Sequence, residues 1–267
     1  MKTINNICNL CNGRGFIYNK DSDTFKPCEC VERKRKRSIY KTIGLPLKFE
    51  DIDIDKFYLK QDAFGSDLSK EEKKKKQIAR NVVESFIEQI PLMLSGELFT
   101  YSDMNGSSLI LYGGRHSGKS MLAACIAKGC LNNQHYPYFL EWAELINVCF
   151  DYNVNVMGQN FLKANDYEDL SSIVQGDRLL IIDNLDESYE KNVSVEEKLT
   201  PSVKRKLDAM FSDRYKKSIP LVFTTNQTEN LLLQDGKYGP ILKGIFEDAL
   251  YVELPEIKGM MQAKKLN

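Results

Sequence analysis

The sequence lacks the long apolar runs of membrane proteins, since none approaches the roughly 20 residues that span a bilayer. The segment Met1–Asn6 has no apolar h-region, so we expect no secretory signal, a cytoplasmic protein and no membrane partner. Neither sign of charge is in excess, with 37 Lys and Arg against 37 Asp and Glu in 267 residues. This balance argues against nucleic-acid binding only if the charges are evenly spread.

The charges are not evenly spread along the chain. Residues 1–48 carry 11 Lys and Arg against 4 Asp and Glu, a net +7, which leaves 26 against 33, a net −7, for the remainder. The neutral total is therefore a cancellation between a basic head and an acidic body. Five of the basic residues form the run Arg33–Arg37. Such a run is either a solvated helix face or linker, or a contact for the phosphates of single-stranded DNA.

The cysteines fall into two groups. Cys8, Cys11, Cys28 and Cys30 have the spacing C-x2-C-x16-C-x-C, which suits a tetrahedral zinc site in a segment too small to build its own core. Free surface thiols, a redox pair or an iron–sulfur cluster are the alternatives. The other three cysteines lie in apolar helical settings, and we expect them in the core: Cys125, Cys130 and Cys149.

Five short apolar runs alternate with helical segments in the second half of the sequence. They are Leu109–Tyr112, Tyr138–Leu140, Leu179–Ile182, Leu221–Phe223 and Leu250–Leu254. Continuous short runs of this kind indicate strands buried on both faces, and their alternation with helices predicts an α/β fold with a five-stranded parallel sheet flanked by helices. We predict three regions: a zinc module with the basic run over 1–37, a loosely packed connector over 38–68, and a larger α/β domain over 69–267.

A phosphate-binding loop follows the first of these predicted strands. Residues 113–120 fit the pattern G-x-x-x-x-G-K-[ST] and lead into an apolar helix. The residues we assign to ATP binding are Gly113, Gly114, Arg115, His116, Ser117, Gly118, Lys119, Ser120 and Met121. Lys119 is expected to reach the β- and γ-phosphates and Ser120 to bind Mg²⁺. A glycine-rich turn that binds nothing is the alternative interpretation.

The third predicted strand ends in Asp183, which is expected to hold Mg²⁺ beside Ser120. Many nucleotidases place Glu directly after this Asp, but this chain has Asn184, whose amide orients water without accepting a proton. Asp186 and Glu187 are close enough in sequence to substitute. We therefore expect ATP hydrolysis to be slow.

Two further residues are candidates for sensing the nucleotide. Asn226 ends the fourth predicted strand and either reaches the γ-phosphate or the attacking water, or only caps the next turn. Arg214 ends the preceding predicted helix and either is favoured by the helix dipole or acts as an arginine finger on a neighbouring subunit.

These features, in this order, resemble the AAA+ ATPases of the DnaC and DnaI helicase-loader type and their relatives, the IstB transposition ATPases. The resemblance rests on the cysteine segments Cys8–Phe16 and Cys28–Cys30, the Walker A and B motifs ending in Ser120 and Asp183, and the segment from Arg214 to Asn226. It covers roughly residues 8–35 and 75–254. It implies an AAA+ core that binds ATP, Mg²⁺ and Zn²⁺, with Arg214 as the finger acting in trans and Asn226 as sensor 1.

The resemblance also implies partners and shows two departures. The implied function is loading a hexameric replicative helicase onto single-stranded DNA, with self-association through the AAA+ domain and the zinc module gripping the helicase. The departures are Asn184 and the stretch 242–247, where the family often has a sensor-2 Arg and this chain offers only Lys243. An IstB-like target-DNA ATPase is the main rival, and a replication initiator and a small-molecule kinase fit less well.

Overall fold

We describe the protein from a computed structural model. The described residues are 8–20, 22–57, 67–95, 108–150, 176–186 and 199–255, with the backbone alone for 147–150. The predictions for Glu187 and for the Cys149 side chain lie outside them. In these segments, no helix combines the length and the apolar character needed to cross a membrane.

The N-terminal module is a small hairpin followed by a helix. Strands β1 (Phe16–Asn19) and β2 (Thr24–Pro27) pair antiparallel, and α1 spans Glu29–Thr42. The basic run lies in the middle of α1, where all five of its side chains are exposed. The helix continues across the predicted boundary at residues 37 and 38, so the module and the connector share one helix.

The connector is not loosely packed, contrary to the prediction. Two 3-10 turns, Leu47–Phe49 and Ile54–Lys56, carry it along the body of the protein. Ile43 and Phe49 are buried in the same core as the central sheet, and the backbone N–H of Phe139 donates to the carbonyl of Ile43 at 2.7 Å. Its apolar side chains therefore complete the core on one face of the central sheet.

Helix α2 (Lys70–Ser95) begins with a capping box formed by Ser69 and Glu72. The backbone N–H of Ser69 donates to the Glu72 carboxylate at 2.8 Å, and the backbone N–H of Glu72 donates to the Ser69 hydroxyl at 3.2 Å. These reciprocal bonds satisfy two backbone N–H groups at the start of the helix. The helix continues past Pro91 and ends at Ser95, the residue before Gly96.

The central sheet confirms the predicted α/β fold. Its five strands are β3 (Leu109–Gly113), β4 (Tyr138–Glu141), β5 (Leu180–Asp183), β6 (Leu221–Thr225) and β7 (Leu250–Leu254). All neighbours pair parallel, in the order β4-β5-β6-β3-β7. The strand that ends at Thr225 therefore lies between the phosphate-loop strand and the Asp183 strand, as expected.

Helices cover both faces of this sheet. They are α3 (Lys119–Asn132), α4 (Trp142–Phe150), α5 (Pro201–Lys217), α6 (Glu229–Leu232) and α7 (Pro240–Glu247). One core joins α2, α3 and the connector to one face, and the other joins α4, α5 and α7 to the opposite face. Because side chains alternate along a strand, each strand contributes to both cores. The carboxyl ends of the strands thus meet at a single edge, where the candidate site lies.

Candidate nucleotide site and cysteine cluster

The loop from Gly113 to Ser120 turns in a way that needs its glycines. Gly113 has φ +147° and Gly118 has φ +101°, backbone conformations that side-chain-bearing residues rarely adopt. A Cβ atom at Gly113 would collide with the carbonyl oxygen of Leu254, and one at Gly118 would lie 2.8 Å from the ring of Phe57. The loop is therefore confined on one side by β7 and on the other by the connector.

Lys119 folds under this loop. Its Nζ donates to the carbonyl oxygens of Gly113 at 2.9 Å and Gly114 at 2.7 Å, and to the side-chain oxygen of Asn226 at 2.9 Å. The side chain is 7% exposed. The ammonium group is thus held where the loop, the start of α3 and the end of β6 converge, which is the position from which a lysine reaches the phosphates in this loop type.

A hydroxyl and a carboxylate stand side by side next to the loop. The Ser120 hydroxyl donates to Asp183 Oδ1 at 2.9 Å, and the Thr224 hydroxyl donates to the same oxygen. Burial raises the pKa of Asp183, while these two hydrogen bonds act in the opposite direction. Paired oxygen donors suit a hard cation, so Ser120 and Asp183 fit the predicted magnesium site.

Asn226 is held in place by Asp186. The Asp186 carboxylate accepts a hydrogen bond from the backbone N–H of Asn226 and one from the Thr225 hydroxyl at 2.9 Å. Asn184, between the two aspartates, has φ +61°, and its backbone N–H donates to Thr224 Oγ1 at 2.9 Å. The ends of β5 and β6 are therefore joined by polar contacts that aim the Asn226 amide at Lys119.

The remaining residues assigned to ATP binding occupy the rim of the loop. Arg115 and His116 are exposed, Ser117 is buried, and Met121 is half-buried in the first turn of α3. The N-terminal end of α3, a helix of 14 residues, begins at Lys119. Its partial positive charge points toward the loop, which favours an anion there.

Arg214 does not lie at this edge. Its side chain is 0% exposed, and its guanidinium donates to the carbonyl oxygen of Arg178 at 2.7 Å, just before β5 begins. Burial lowers its pKa to about 10. In this structure the side chain is enclosed within its own subunit, away from the phosphate loop, and its assignment as a finger acting on a neighbouring subunit stays a prediction.

Lys243, the residue considered for the sensor-2 position, lies on α7 and forms ion pairs with two neighbouring carboxylates. Its Nζ is 2.7 Å from Asp235 and 3.9 Å from Glu247. Both carboxylates are well exposed, so these ion pairs contribute little to stability. The described residues therefore show no contact between Lys243 and the phosphate loop.

The four N-terminal cysteines form one cluster. Their sulfur atoms all lie within 4.8 Å of one another, with 3.7 Å between Cys8 and Cys28 and 3.5 Å between Cys11 and Cys30. Disulfide sulfurs lie about 2.05 Å apart, whereas four thiolates about 2.3 Å from a zinc ion stand about 3.8 Å apart. The geometry thus fits the predicted zinc site.

The backbone around the cluster also suits thiolate ligands. The N–H of Gly15 donates to Cys11 Sγ at 3.3 Å, and this bond lowers the pKa of Cys11 to about 6. Cys125 and Cys130 lie elsewhere, buried as predicted in the apolar surroundings of α3, and burial raises the pKa of each to about 12. The four clustered cysteines therefore suit a metal site, whereas the two cysteines of α3 suit packing in the core.

No protein-family model matches the sequence, and no curated protein matches it significantly. Solved structures do match in fold. A candidate primosome component from Streptococcus pyogenes serotype M3 superposes with a TM-score of 0.50 at 16% identity, over 81% of this chain and 94% of that one. The chain has an AAA+ core fold.

Two other solved structures align with TM-scores just below 0.5. A DnaC helicase loader aligns with a TM-score of 0.49 at 14% identity, over 78% of this chain and 99% of that one. A DNA replication initiation factor aligns with a TM-score of 0.49 at 13% identity, over 81% of this chain. This chain spans about half, 53%, of the length of that factor. At these identities and TM-scores the two alignments carry no argument about activity, which must be argued from the site.

The structure adds three residues that the sequence did not single out. Thr224 bridges Asp183 and Asn184, Phe57 of the connector packs on Gly118, and Glu141 ends β4 opposite Asp183. The contacts of Thr224 and the position of Glu141 depend on the register of the parallel strands. That register cannot be predicted from a local sequence pattern. The sequence does carry one signal for Glu141 and Thr224, because each is a polar residue that directly follows an apolar run.

Proposed function

We propose that this protein is an ATP-dependent loader of a replicative DNA helicase onto single-stranded DNA. The observation that carries the ATPase part is the convergence of Lys119, Asn226, Ser120 and Asp183 at the carboxyl edge of the sheet. The loading part is supported by the cysteine module that precedes this AAA+ core, an order of parts that resembles the DnaC and DnaI loaders, and by the likeness to a candidate primosome component.

Each residue of the site has a distinct task in this proposal. Backbone N–H groups of the loop and the N-terminal end of α3 bind the phosphates of ATP. Lys119 donates to the β- and γ-phosphates, and Asn226 orients the γ-phosphate or the attacking water. Ser120 and Asp183 hold Mg²⁺, which neutralises phosphate charge when bound. The link from Asn226 through Asp186 to β5 would transmit the state of the nucleotide to the sheet edge.

The N-terminal module offers a surface for a protein partner. Phe16, Tyr18 and Phe25 share one face of the hairpin, and their exposed fractions are 55%, 47% and 71%. Aromatic side chains exposed together on one element are typical of protein interfaces. We propose that this face grips the helicase, and that the exposed basic residues of α1 contact DNA phosphates. Self-association through the AAA+ core belongs to the same proposal.

A loading assay tests this function directly. The full chain would be mixed with the replicative helicase of its source cell and a forked DNA whose single strand is coated with single-strand-binding protein. We expect strand separation only with ATP and the intact chain, and none with Lys119→Ala. Failure of the intact chain to stimulate unwinding, although it binds ATP, would refute helicase loading.

A pull-down separates this function from the IstB-like alternative. The tagged chain is incubated with extract of the source cell in the presence of ATP, and bound proteins are identified by mass spectrometry. Recovery of the hexameric helicase supports loading, whereas recovery of a transposase without helicase supports a target-DNA ATPase. A variant with Phe16, Tyr18 and Phe25 changed to Ser is the matched control, because it removes the aromatic face while leaving the nucleotide site intact.

A further inference from the structure

Hydrolysis of ATP requires a group that orients the attacking water and accepts its proton. Asn184, the residue that directly follows Asp183, has no such group, because an amide is not a base at neutral pH. Its backbone is also engaged, with the N–H bonded to Thr224 Oγ1 at 2.9 Å. If this chain turns over ATP, the base must come from elsewhere in the site.

The two aspartates near Asn184 already accept hydrogen bonds from neighbouring groups. Asp183 accepts hydrogen bonds from the hydroxyls of Ser120 and Thr224. Both oxygens of Asp186 lie within 3.0 Å of the Thr225 hydroxyl, and one of them also accepts from the backbone N–H of the next residue. These carboxylates therefore hold the ends of β5 and β6 together, and neither is placed to serve the water.

Glu141 is a third carboxylate at the same edge. It is the last residue of β4, and its partner in the parallel register is Asp183. Register partners on adjacent strands project to the same face of the sheet, about 4.8 Å apart. Glu141 therefore stands beside Asp183, on the side opposite to Thr224, and it is only partly buried.

The packing of β4 gives an independent check on which face Glu141 occupies. Phe139, two residues earlier, lies in the core that contains α3, whereas Leu140 lies in the core on the opposite face. Alternation along the strand places Glu141 on the α3 face, where Ser120 and the phosphate loop also lie. The negative charge of Glu141 contributes to the raised pKa of Asp183, after the larger effect of burial.

We propose that Glu141 is the catalytic base of ATP hydrolysis, supplied by β4 in place of the missing acid at Asn184; this inference rests on the proposed ATPase function. The Glu141 carboxylate accepts a hydrogen bond from a water molecule facing the γ-phosphate. As the water oxygen bonds to the γ-phosphorus, the bond from phosphorus to the β,γ-bridging oxygen breaks. That oxygen keeps the electron pair and leaves with ADP, while the water proton passes to Glu141.

The central test is Glu141→Gln in the full chain, which keeps the size and polarity of the side chain. We expect phosphate release to slow by about 100-fold or more, the usual contribution of a general base. The dissociation constant for ATP, measured by calorimetry, should stay within about threefold, and ATP-dependent assembly, measured by light scattering, should persist. Glu253→Gln is the matched control, since Glu253 is the next-to-last residue of β7, near the same edge, and pairs with Lys75 on the surface; its turnover should match the wild type.

A second variant tests whether an acid placed directly after Asp183 can replace the Glu141 carboxylate. In the double variant Glu141→Gln with Asn184→Glu, an acid directly follows Asp183. We expect its turnover to be at least about tenfold higher than that of Glu141→Gln alone, because the new acid restores part of the contribution of about 100-fold or more that a general base makes. Three results would overturn the proposal: turnover of Glu141→Gln close to wild type, loss of turnover in Glu187→Gln but not in Glu141→Gln, or wild-type protein that binds ATP without hydrolysing it. Wild-type protein that binds no ATP would instead refute the proposed function itself.

Discussion

Lys119 and Asn226 are 107 positions apart in the sequence and are joined by a hydrogen bond of 2.9 Å between Nζ and Oδ1. Lys119 begins the helix after the phosphate loop, and Asn226 follows the strand next to that loop. A γ-phosphate bound between them would interact with both side chains. Because Asn226 is also tied to Asp186, this pair couples the nucleotide to the end of β5.

The first prediction concerns ATP binding. Lys119→Ala should weaken ATP affinity by about 100-fold or more, because it removes a charge-assisted hydrogen bond to the phosphates from a water-poor site. Calorimetry or displacement of a fluorescent nucleotide measures the affinity. Lys128→Ala is a useful control, because this lysine lies on the same helix but bonds to connector carbonyls. Unchanged affinity in Lys119→Ala would rule out this loop as the nucleotide site.

The second prediction separates sensing from binding. Asn226→Ala should leave ATP affinity within a few fold of the wild type and lower turnover by about 100-fold, as expected when one preorganised donor to the reacting group is lost. Asp186→Asn should have a smaller effect in the same direction, since the backbone N–H of Asn226 loses its charged partner. Equal losses of affinity and turnover in Asn226→Ala would indicate a binding role only.

Much of this site was predictable because its residues follow local rules. A strand, a glycine-rich loop and a helix in sequence predict where Lys119 and Ser120 lie, and an apolar run that ends in an acid predicts Asp183. The cysteine spacing likewise predicts a cluster, which the structure shows. In each case, short stretches of backbone determine the geometry, so the residue types and their spacing are sufficient.

Other features depend on contacts between distant segments and were missed or misjudged. The position of Glu141 beside Asp183 follows from strand register, and the burial of Ile43 follows from how the connector packs beside β4. The resemblance implies a place at a subunit interface for Arg214, whereas the direction of its side chain within the subunit depends on how α5 packs beside β5. Sequence spacing reports none of these relationships.

The third prediction concerns the cysteine cluster. Purified protein should contain one zinc ion per chain by elemental analysis, and Cys11→Ser should lower that content and disorder the hairpin. ATP affinity should remain within about threefold, because the described contacts of Cys11 are with Cys30 and Gly15 in its own module, and the connector core is retained. Zinc supplies much of the folding free energy of such small modules, about 10 kcal/mol or more in isolated peptides.

A cysteine outside the cluster provides the control for this experiment. Cys125→Ala removes a buried thiol from α3 and should leave the zinc content at one ion per chain, with a modest loss of stability from the cavity. Protein that contains no zinc when purified without chelators, or Cys11→Ser protein that retains full zinc content, would contradict the assignment of the cluster.

The last prediction concerns Arg214. Arg214→Ala should lower the free energy of unfolding by about 2–4 kcal/mol, because it leaves a cavity at a fully buried position and removes the donor to the Arg178 carbonyl. Urea titration followed by circular dichroism measures this loss. Arg205→Ala is the matched control on the same helix, and as a substitution outside the core it should change stability by less than about 0.5 kcal/mol.

A mixing experiment decides whether Arg214 also acts between subunits. If Arg214 is a finger acting in trans, Arg214→Ala subunits and Lys119→Ala subunits each lack activity alone. In a mixture, an interface that joins the intact Lys119 of one subunit to the intact Arg214 of the other would restore ATP hydrolysis. Because Arg214 is enclosed in its own subunit, we expect folded Arg214→Ala protein to hydrolyse ATP by itself at a temperature well below its unfolding transition. Recovery of activity only on mixing would show that Arg214 leaves its buried position in the assembled state and reaches the neighbouring nucleotide.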